Sequence, residues 1–323
     1  MKRSPSDVLN LSAGQRLDGR QMWANTRFWL ETHNLKTGRY GYRSRHHWTL
    51  FLTLLRVFEL GLRFSGLYRR GRRNAEQLEF KILPLYFSNL PEPFEGFRIL
   101  HLSDLHLDGM PGLVELVHEQ LHDEEFDLCV ITGDFRADIS GSFQPMLDQL
   151  GPFLEGIRTV HGILGVLGNH DSCLMVEPLE ALGIRMLINE EWEIEKSGER
   201  IQFIGTDDVH AYYTDQTLQA FSEISEDFAI SLVHSPELYD VAAQMGVNLY
   251  LCGHTHAGQI VLPGGIAPIK HLHQGKAFYR GHWFFKGMQG VTSAGVGTSG
   301  IPVRFNTRGE LLVLELHRGK QPV

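Results

Sequence analysis

Residues 97–106, FRILHLSDLH, decide how this chain is read, because an apolar, strand-like run stops there at an aspartate and a histidine. The same construction recurs at 127–134 (DLCVITGD), 162–171 (GILGVLGNHD), 229–234 (AISLVH) and 248–256 (NLYLCGHTH). These runs are short, rich in β-branched residues and punctuated by glycine, which is the pattern of buried strands. In open α/β sheets the side chains just beyond the carboxyl ends of neighbouring strands converge, however far apart they lie in sequence. The converging set is Asp104, His106, Asp134, Asn169, His170, His234, His254 and His256.

That set is a metal site by composition. It offers carboxylate and amide oxygens beside imidazole nitrogens and no thiolate, a mixture suited to Mn, Fe, Zn or Co. Its donors outnumber what one ion uses beside substrate and water, so a pair of ions is the economical reading. A shared carboxylate would hold them ~3.5–4 Å apart. Gly133, Gly168 and Gly253 precede these clusters and permit the close backbone approach that such crowding demands.

Around this nucleus, from Glu79 onward, apolar runs alternate with stretches long enough for helices, an α/β rhythm. Strands are expected at 81–87, 97–102, 128–132, 161–167, 201–204, 229–233, 248–252, 259–262 and 310–316, and helices at 113–122, 143–154, 177–182, 217–222 and 237–245. The organisation is a basic N-terminal appendage, residues 1–78, with one amphipathic helix at about 48–68, followed by an α/β domain at 79–323.

The net charge of −8 argues against a nucleic-acid partner, which would require a basic surface. Residues 39–73 run the other way, with nine Arg, no Lys and Glu59 as the one acid. In the helix there, Leu50, Phe51, Leu54, Leu55, Phe58, Leu62 and Phe64 form a broad apolar face, flanked by Arg43, Arg45, Arg69, Arg70, Arg72 and Arg73. Such a helix suits the headgroup boundary of an anionic membrane, and packing on the catalytic domain or a second subunit is the competing reading. The chain shows no apolar run of the ~20 residues a spanning helix needs. Its N-terminus lacks the apolar core of a secretory signal. Cys129, Cys173 and Cys252 cannot pair completely. The expected location is therefore cytoplasmic, peripheral on the inner face of the membrane.

In their order, DLH, GD, GNHD, a lone His and GHTH resemble the five-block signature of the calcineurin-like metallophosphoesterases, over roughly residues 97–317. GHTHAGQI and GVGTSGIPVR look most like a bacterial branch with membrane-associated phosphoesterases and UDP-diacylglucosamine pyrophosphatases. The resemblance implies an α/β fold, a four-layer αββα sandwich, and two divalent ions, Mn foremost. Asp104, His106, Asp134 and His256 would hold the first ion, and Asp134, Asn169, His234 and His254 the second. His170 would stand over the phosphate as a hydrogen-bond or proton donor while a metal-bridging hydroxide attacks phosphorus directly. Asp138, in GDFRAD, is the candidate partner of His170, and Asp171 is expected to cap its turn.

Arg136 and Arg304 are substrate-binding candidates, with loop anchoring the alternative for Arg304. His101, His161, His210, His271 and His273 are read as structural rather than pocket-lining, and Tyr212 and Tyr213 as weaker candidates for stacking on substrate. The expected activity is hydrolysis of a phosphodiester or pyrophosphate on a lipid-linked substrate, a UDP-acylated glucosamine or phospholipid head group. A soluble phosphodiesterase acting on nucleotides or small phosphodiesters, and a non-catalytic scaffold, are the alternatives.

Overall fold

The computed structural model describes residues 19–37, 45–224 and 228–320. Arg43 lies outside the described residues, as do the side chains of Arg45 and Phe51. Three helices precede the first strand: α1 (Gly19–Thr37), α2 (Arg45–Phe64) and α3 (Leu67–Glu76). The sequence shows one there, at about 48–68. The difference has two causes. Gly66, at φ 76°, breaks the expected helix and restarts it as α3. Helix α1 has so mixed a composition that no apolar stripe announces it.

Two six-stranded sheets follow. One has the order β1 (Glu79–Phe87), β12 (Glu310–Arg318), β2 (Phe97–Leu102), β3 (Leu128–Thr132), β4 (Ile163–Val166), β5 (Ile184–Met186). The other runs β10 (Gly281–Phe285), β11 (Met288–Thr292), β9 (Leu249–Cys252), β8 (Phe228–Leu232), β7 (Glu199–Gly205), β6 (Glu190–Lys196). Strands β2 to β5 are mutually parallel, as are β7, β8, β9 and β11.

Alternation along each strand builds the layers, because successive side chains point to opposite faces. Phe97, Ile99, Leu128 and Val130 meet Phe228, Ile230, Leu249 and Leu251 in a core between the sheets. Their neighbours Leu100, Leu102, Cys129 and Ile131 face α4 (Leu113–Leu121) and α5 (Gln144–Glu155), and Trp23 of α1 joins that layer. Ala229, Tyr250 and Cys252 face the opposite way, with Ala220 of α7 (Asp215–Ala220) and Ala242 of α8 (Tyr239–Gln244). The remaining helix, α6 (Val176–Ala181), adds Leu179 to the first layer. The arrangement is the expected αββα sandwich.

Residues 259–262, expected as a strand, form only isolated bridges, Ile260 to Phe305 and Leu262 to Ile266. Strands β5, β6, β10 and β11 were not foreseen. In β6 (EEWEIEK) only Ile194 is buried, so it reads as polar, and β11 (MQGVT) is short and broken by glycine. No described helix is long and apolar enough to cross a membrane.

One buried histidine gives the sandwich a pH signature. His101 is fully buried, and its Nε2 lies 3.0 Å from the Thr132 hydroxyl, which itself donates to Leu102 O. Thr132 therefore accepts from Nε2–H, and Nδ1 is left without a partner. A second ring proton would be buried unsatisfied, and burial lowers this pKa to about 3. Below the unfolded value of ~6.5 the unfolded chain takes up a proton that the native state refuses. The neutral ring's contribution is thus full above that pH and falls as pH drops through it. In chelator, the stability advantage of wild type over His101→Gln should shrink by ~1.4 kcal/mol per pH unit below ~6. Denaturant unfolding across that range checks this, and a pH-independent difference would contradict it.

Candidate metal centre

The site lies where both sheets end on the same edge. Asp104 and His106 follow β2, Asp134 follows β3, Asn169 and His170 follow β4, His234 follows β8, and His254 and His256 follow β9. All of the sequence-derived set except Arg136 and Arg304 meets here. The backbone is bent hard to achieve it. Asp104, His106, Asp134, His254 and His256 have φ between 42° and 70°, a left-handed region that L-residues occupy at a cost of roughly 1–3 kcal/mol each. Two glycines make room. A Cβ on Gly168 would fall on Asp134, and one on Gly253 would fall on Ser103 and Asp104.

Two clusters of donor atoms result, each tight enough to hold a cation, Asp104, His106 and His256, and Asp134, His234 and His254, and a third overlapping group, His106, Asp134 and His170, is as tight. In the first, His106 Nε2 and His256 Nε2 are 3.2 Å apart, and His256 Nε2 is 3.4 Å from Asp104 Oδ1. In the second, His234 Nε2 is 3.2 Å from His254 Nδ1 and 3.1 Å from Asn169 Oδ1. Asp134 Oδ2 lies between them, 3.7 Å from His106 Nε2 and 3.4 Å from His234 Nε2. Such spacings are the edges of a polyhedron whose centre is ~2.1 Å from each donor, the bond length of a transition metal. Asp104 Oδ1 is buried without a hydrogen-bond partner, as a metal ligand's oxygen would be. The residues fit divalent cations.

Backbone carbonyls fix which ring nitrogens face inward. His106 Nδ1 donates to Arg136 O at 2.7 Å, His234 Nδ1 to Thr132 O at 2.7 Å, and His254 Nε2 to His271 O at 2.9 Å. Each opposite nitrogen then faces the cluster, where it would offer a lone pair once a cation replaces any ring proton. Burial lowers His106 to about 4 and, with neighbouring histidines, holds His254 and His256 well below the usual value, so all three are neutral and able to offer a lone pair to a cation. Burial also works to raise Asp134, but His234, His170 and His106 outweigh it and hold that carboxyl well below the usual range. Asp104 is pushed up to about 6 by burial and the nearby Asp134 charge, against His234. Burial opposes charge on His234 too, yet Asp134 and Asp104 hold it well above its usual value. The site demands positive charge, and divalent cations meet that demand.

His170 stands at the rim, its Nε2 3.9 Å from Asp134 Oδ2. Its Nδ1 donates to Ala137 O at 2.6 Å, which corrects the expectation of an Asp138 partner: the loop supplies a carbonyl one residue earlier. Asp171 does cap the turn, accepting from the N–H groups of Asp134, Phe135 and Gly168.

The two arginines expected at substrate are braces instead. Arg136 donates to His170 O, Ile139 O and Gly141 O. Arg304, fully buried, donates to His256 O, Ala294 O, Gly297 O and Arg308 O, the loop-anchoring alternative. A guanidinium committed to convergent carbonyls has little left for a phosphate. Tyr213 is exposed, whereas Tyr212 is buried with the Arg27 guanidinium 3.5 Å above its ring.

Sequence reasoning undervalued one group beside the site. His210 packs its ring 4.3 Å from that of His254 and 4.6 Å from that of His273, and its Nδ1 is 2.8 Å from Glu237 Oε2. These residues come from loops with no spacing rule to link them. The fragment HLHQ at 271–274 was the only hint.

A double-sheet α/β sandwich that gathers aspartate, asparagine and histidine at its strand ends is the scaffold of a metal-dependent hydrolase. The profile of the calcineurin-like phosphoesterases matches residues 97–258, and the chain belongs to that family; it is a metal-dependent phosphoester hydrolase. It is 30% identical over 239 residues to the uncharacterized metallophosphoesterase YkuE of Bacillus subtilis, covering 71% of this chain and 82% of that one. To the phosphodiesterase YaeI of Escherichia coli it is 29% identical over 231 residues, covering 68% and 82%. To a bovine transmembrane protein with metallophosphoesterase domain it is 29% identical over 256 residues, covering 70% of this chain and 54% of the bovine protein.

Proposed function

We propose that the chain is a binuclear phosphodiesterase or pyrophosphatase that works on a lipid-linked phosphate at an anionic membrane surface. The observation that carries the binuclear part is the position of Asp134 Oδ2 between the two donor clusters. Asp104, His106, Asp134 and His256 would hold one ion, and Asp134, Asn169, His234 and His254 the other, Mn being the first candidate. When bound, the pair supplies Lewis-acid activation of water and neutralises charge on the phosphoryl oxygens. His170 is oriented by Ala137 O so that Nε2 faces the reacting group, where it donates to a phosphoryl oxygen or hands a proton to the leaving group. In this reading water is the attacking group and no covalent enzyme intermediate forms.

Helix α2 supports the membrane part. It divides its apolar residues between two faces. Leu55 and Leu62 pack on Ile301 and Val303 of the loop that Arg304 and Gln259 tie to the His256 turn. Leu50, Leu54, Val57, Phe58 and Phe64 are exposed, Phe64 to 89%. Arg69, Arg70 and Arg73 on α3 are exposed beside it. A helix with one face in the body and another, apolar and flanked by arginine, in solvent suits the headgroup region. It also sets that surface one loop away from a metal-binding turn. The transmembrane relative carries its phosphoesterase domain on a membrane protein by name.

Replacing His170 by Asn should leave Mn content unchanged and lower kcat by ~10²–10⁴. Elemental analysis with steady-state assay checks this, and loss of metal in step with activity would make His170 a ligand. For the surface, wild type should float with anionic vesicles and hydrolyse a lipid-linked pyrophosphate or phosphodiester in them, while Leu54→Ser/Val57→Ser/Phe64→Ser stays behind. Failure to bind any vesicle, with full activity on soluble nucleotides, would replace this reading with that of a soluble phosphodiesterase.

A further inference from the structure

Helix α1 lies outside the residues matched by the family, yet it reaches the metal centre. Its inner stripe is Trp23, Arg27 and Glu31, spaced at successive turns. Arg27 is 1% exposed, and its guanidinium is fully engaged. Nη1 meets Asp207 Oδ1 at 2.5 Å, while Nη2 donates to Gly168 O at 3.2 Å and to Asp171 O at 2.9 Å. Nε donates to Glu31 Oε1 at 2.9 Å. Trp23 Nε1 holds the other Asp207 oxygen at 2.7 Å. Glu31 accepts from Ser172 Oγ at 2.7 Å and from Cys173 N at 2.9 Å.

The two carbonyls that Arg27 holds bracket Asn169 and His170. Within the same turn Gly168 N donates to the Asp171 carboxylate, His170 N donates to Asp134 Oδ1, and His170 O accepts from Arg136 Nε. Arg27 supplies the tie of this turn to α1. Asp207 follows β7 of the second sheet, so Arg27 also pins that turn to the opposite half of the sandwich. The hydrogen bonds of Trp23, Arg27 and Glu31 fall on this turn, on its flank at Ser172 and Cys173, and on Asp207. The effect therefore falls first on the half of the centre that Asn169 would serve.

We propose that Arg27 is a positioning residue of the active site, through which α1 sets the placement of Asn169 and His170 and so the affinity of the second metal position. The inference rests on the assignment of Asn169 to that position. Lysine at 27 can keep the charge opposite Asp207 but cannot also reach both carbonyls, because it lacks the planar fork of arginine.

The test is Mn titration by calorimetry, with thermal melting and steady-state kinetics, on the full chain carrying Arg27→Lys, with Asn169→Ala as reference. Arg27→Lys should melt near wild type and weaken the Mn site that Asn169→Ala weakens by about 10–100-fold, leaving the other site within about twofold. It should lower kcat by a similar factor, with KM nearly unchanged, the range for groups that orient metal ligands. Glu31→Gln should do the same more weakly, and it serves if Arg27→Lys does not fold. If Asn169→Ala weakens one site while both α1 variants leave both sites and kcat at wild-type values, α1 positions nothing. Equal weakening of both sites together with a lowered melting temperature would make Arg27 a stability residue only. If Asn169→Ala itself weakens neither site, the ligand assignment fails rather than the clamp.

Discussion

The structure turns on one buried carboxylate, Asp134, set where the two sheets end and surrounded by imidazoles. Every atom of its polar surface is engaged. Its Oδ1 accepts from His170 N at 2.8 Å, its N donates to Asp171, and its Oδ2 lies between the two donor clusters. Charge buried this deeply is tolerated only where opposite charge answers it. The left-handed conformations of Asp104, His106, Asp134, His254 and His256 are the visible cost of bringing the ligands to it. That strain persists because the sandwich core below and the caps from Asp171, Arg136 and Arg304 leave the loops no alternative.

The part of this site legible in the sequence was local. A strand that ends in Asp-x-His or Gly-Asn-His-Asp carries its own punctuation, and the sandwich brings such ends together. Strands β2 and β3 fell where the apolar runs placed them. What escaped the sequence depends on distant backbone. Nothing in GDFRAD tells that Ala137 O rather than Asp138 will receive His170, or that Arg136 will be drawn to carbonyls instead of phosphate. The edge strand β6 looks polar because only one face is covered. Helix α1 escaped notice because its inner stripe is Trp, Arg and Glu, which reads as solvated until Asp207 is seen to meet it.

The family match covers residues 97–258, and the three N-terminal helices lie outside it. Helix α1 is locked to the turn that carries Asn169 and His170, and α2 rests on the loop behind His256. The two elements thus brace different loops around the site. Chemistry resides in the shared strand ends, and selectivity in what is added around them. The exposed apolar face of α2 and the arginines of α3 are therefore where substrate presentation is to be sought.

The central claim is that Asp134 is shared by two ions. The most direct measurement is electron paramagnetic resonance of the chain loaded with Mn, together with elemental analysis. The account predicts two Mn per chain, magnetically coupled through Asp134 at a separation of ~3.5–4 Å, with coupling lost in Asp134→Asn. A fully active protein with a single Mn, or with two Mn that behave as isolated ions, would contradict it.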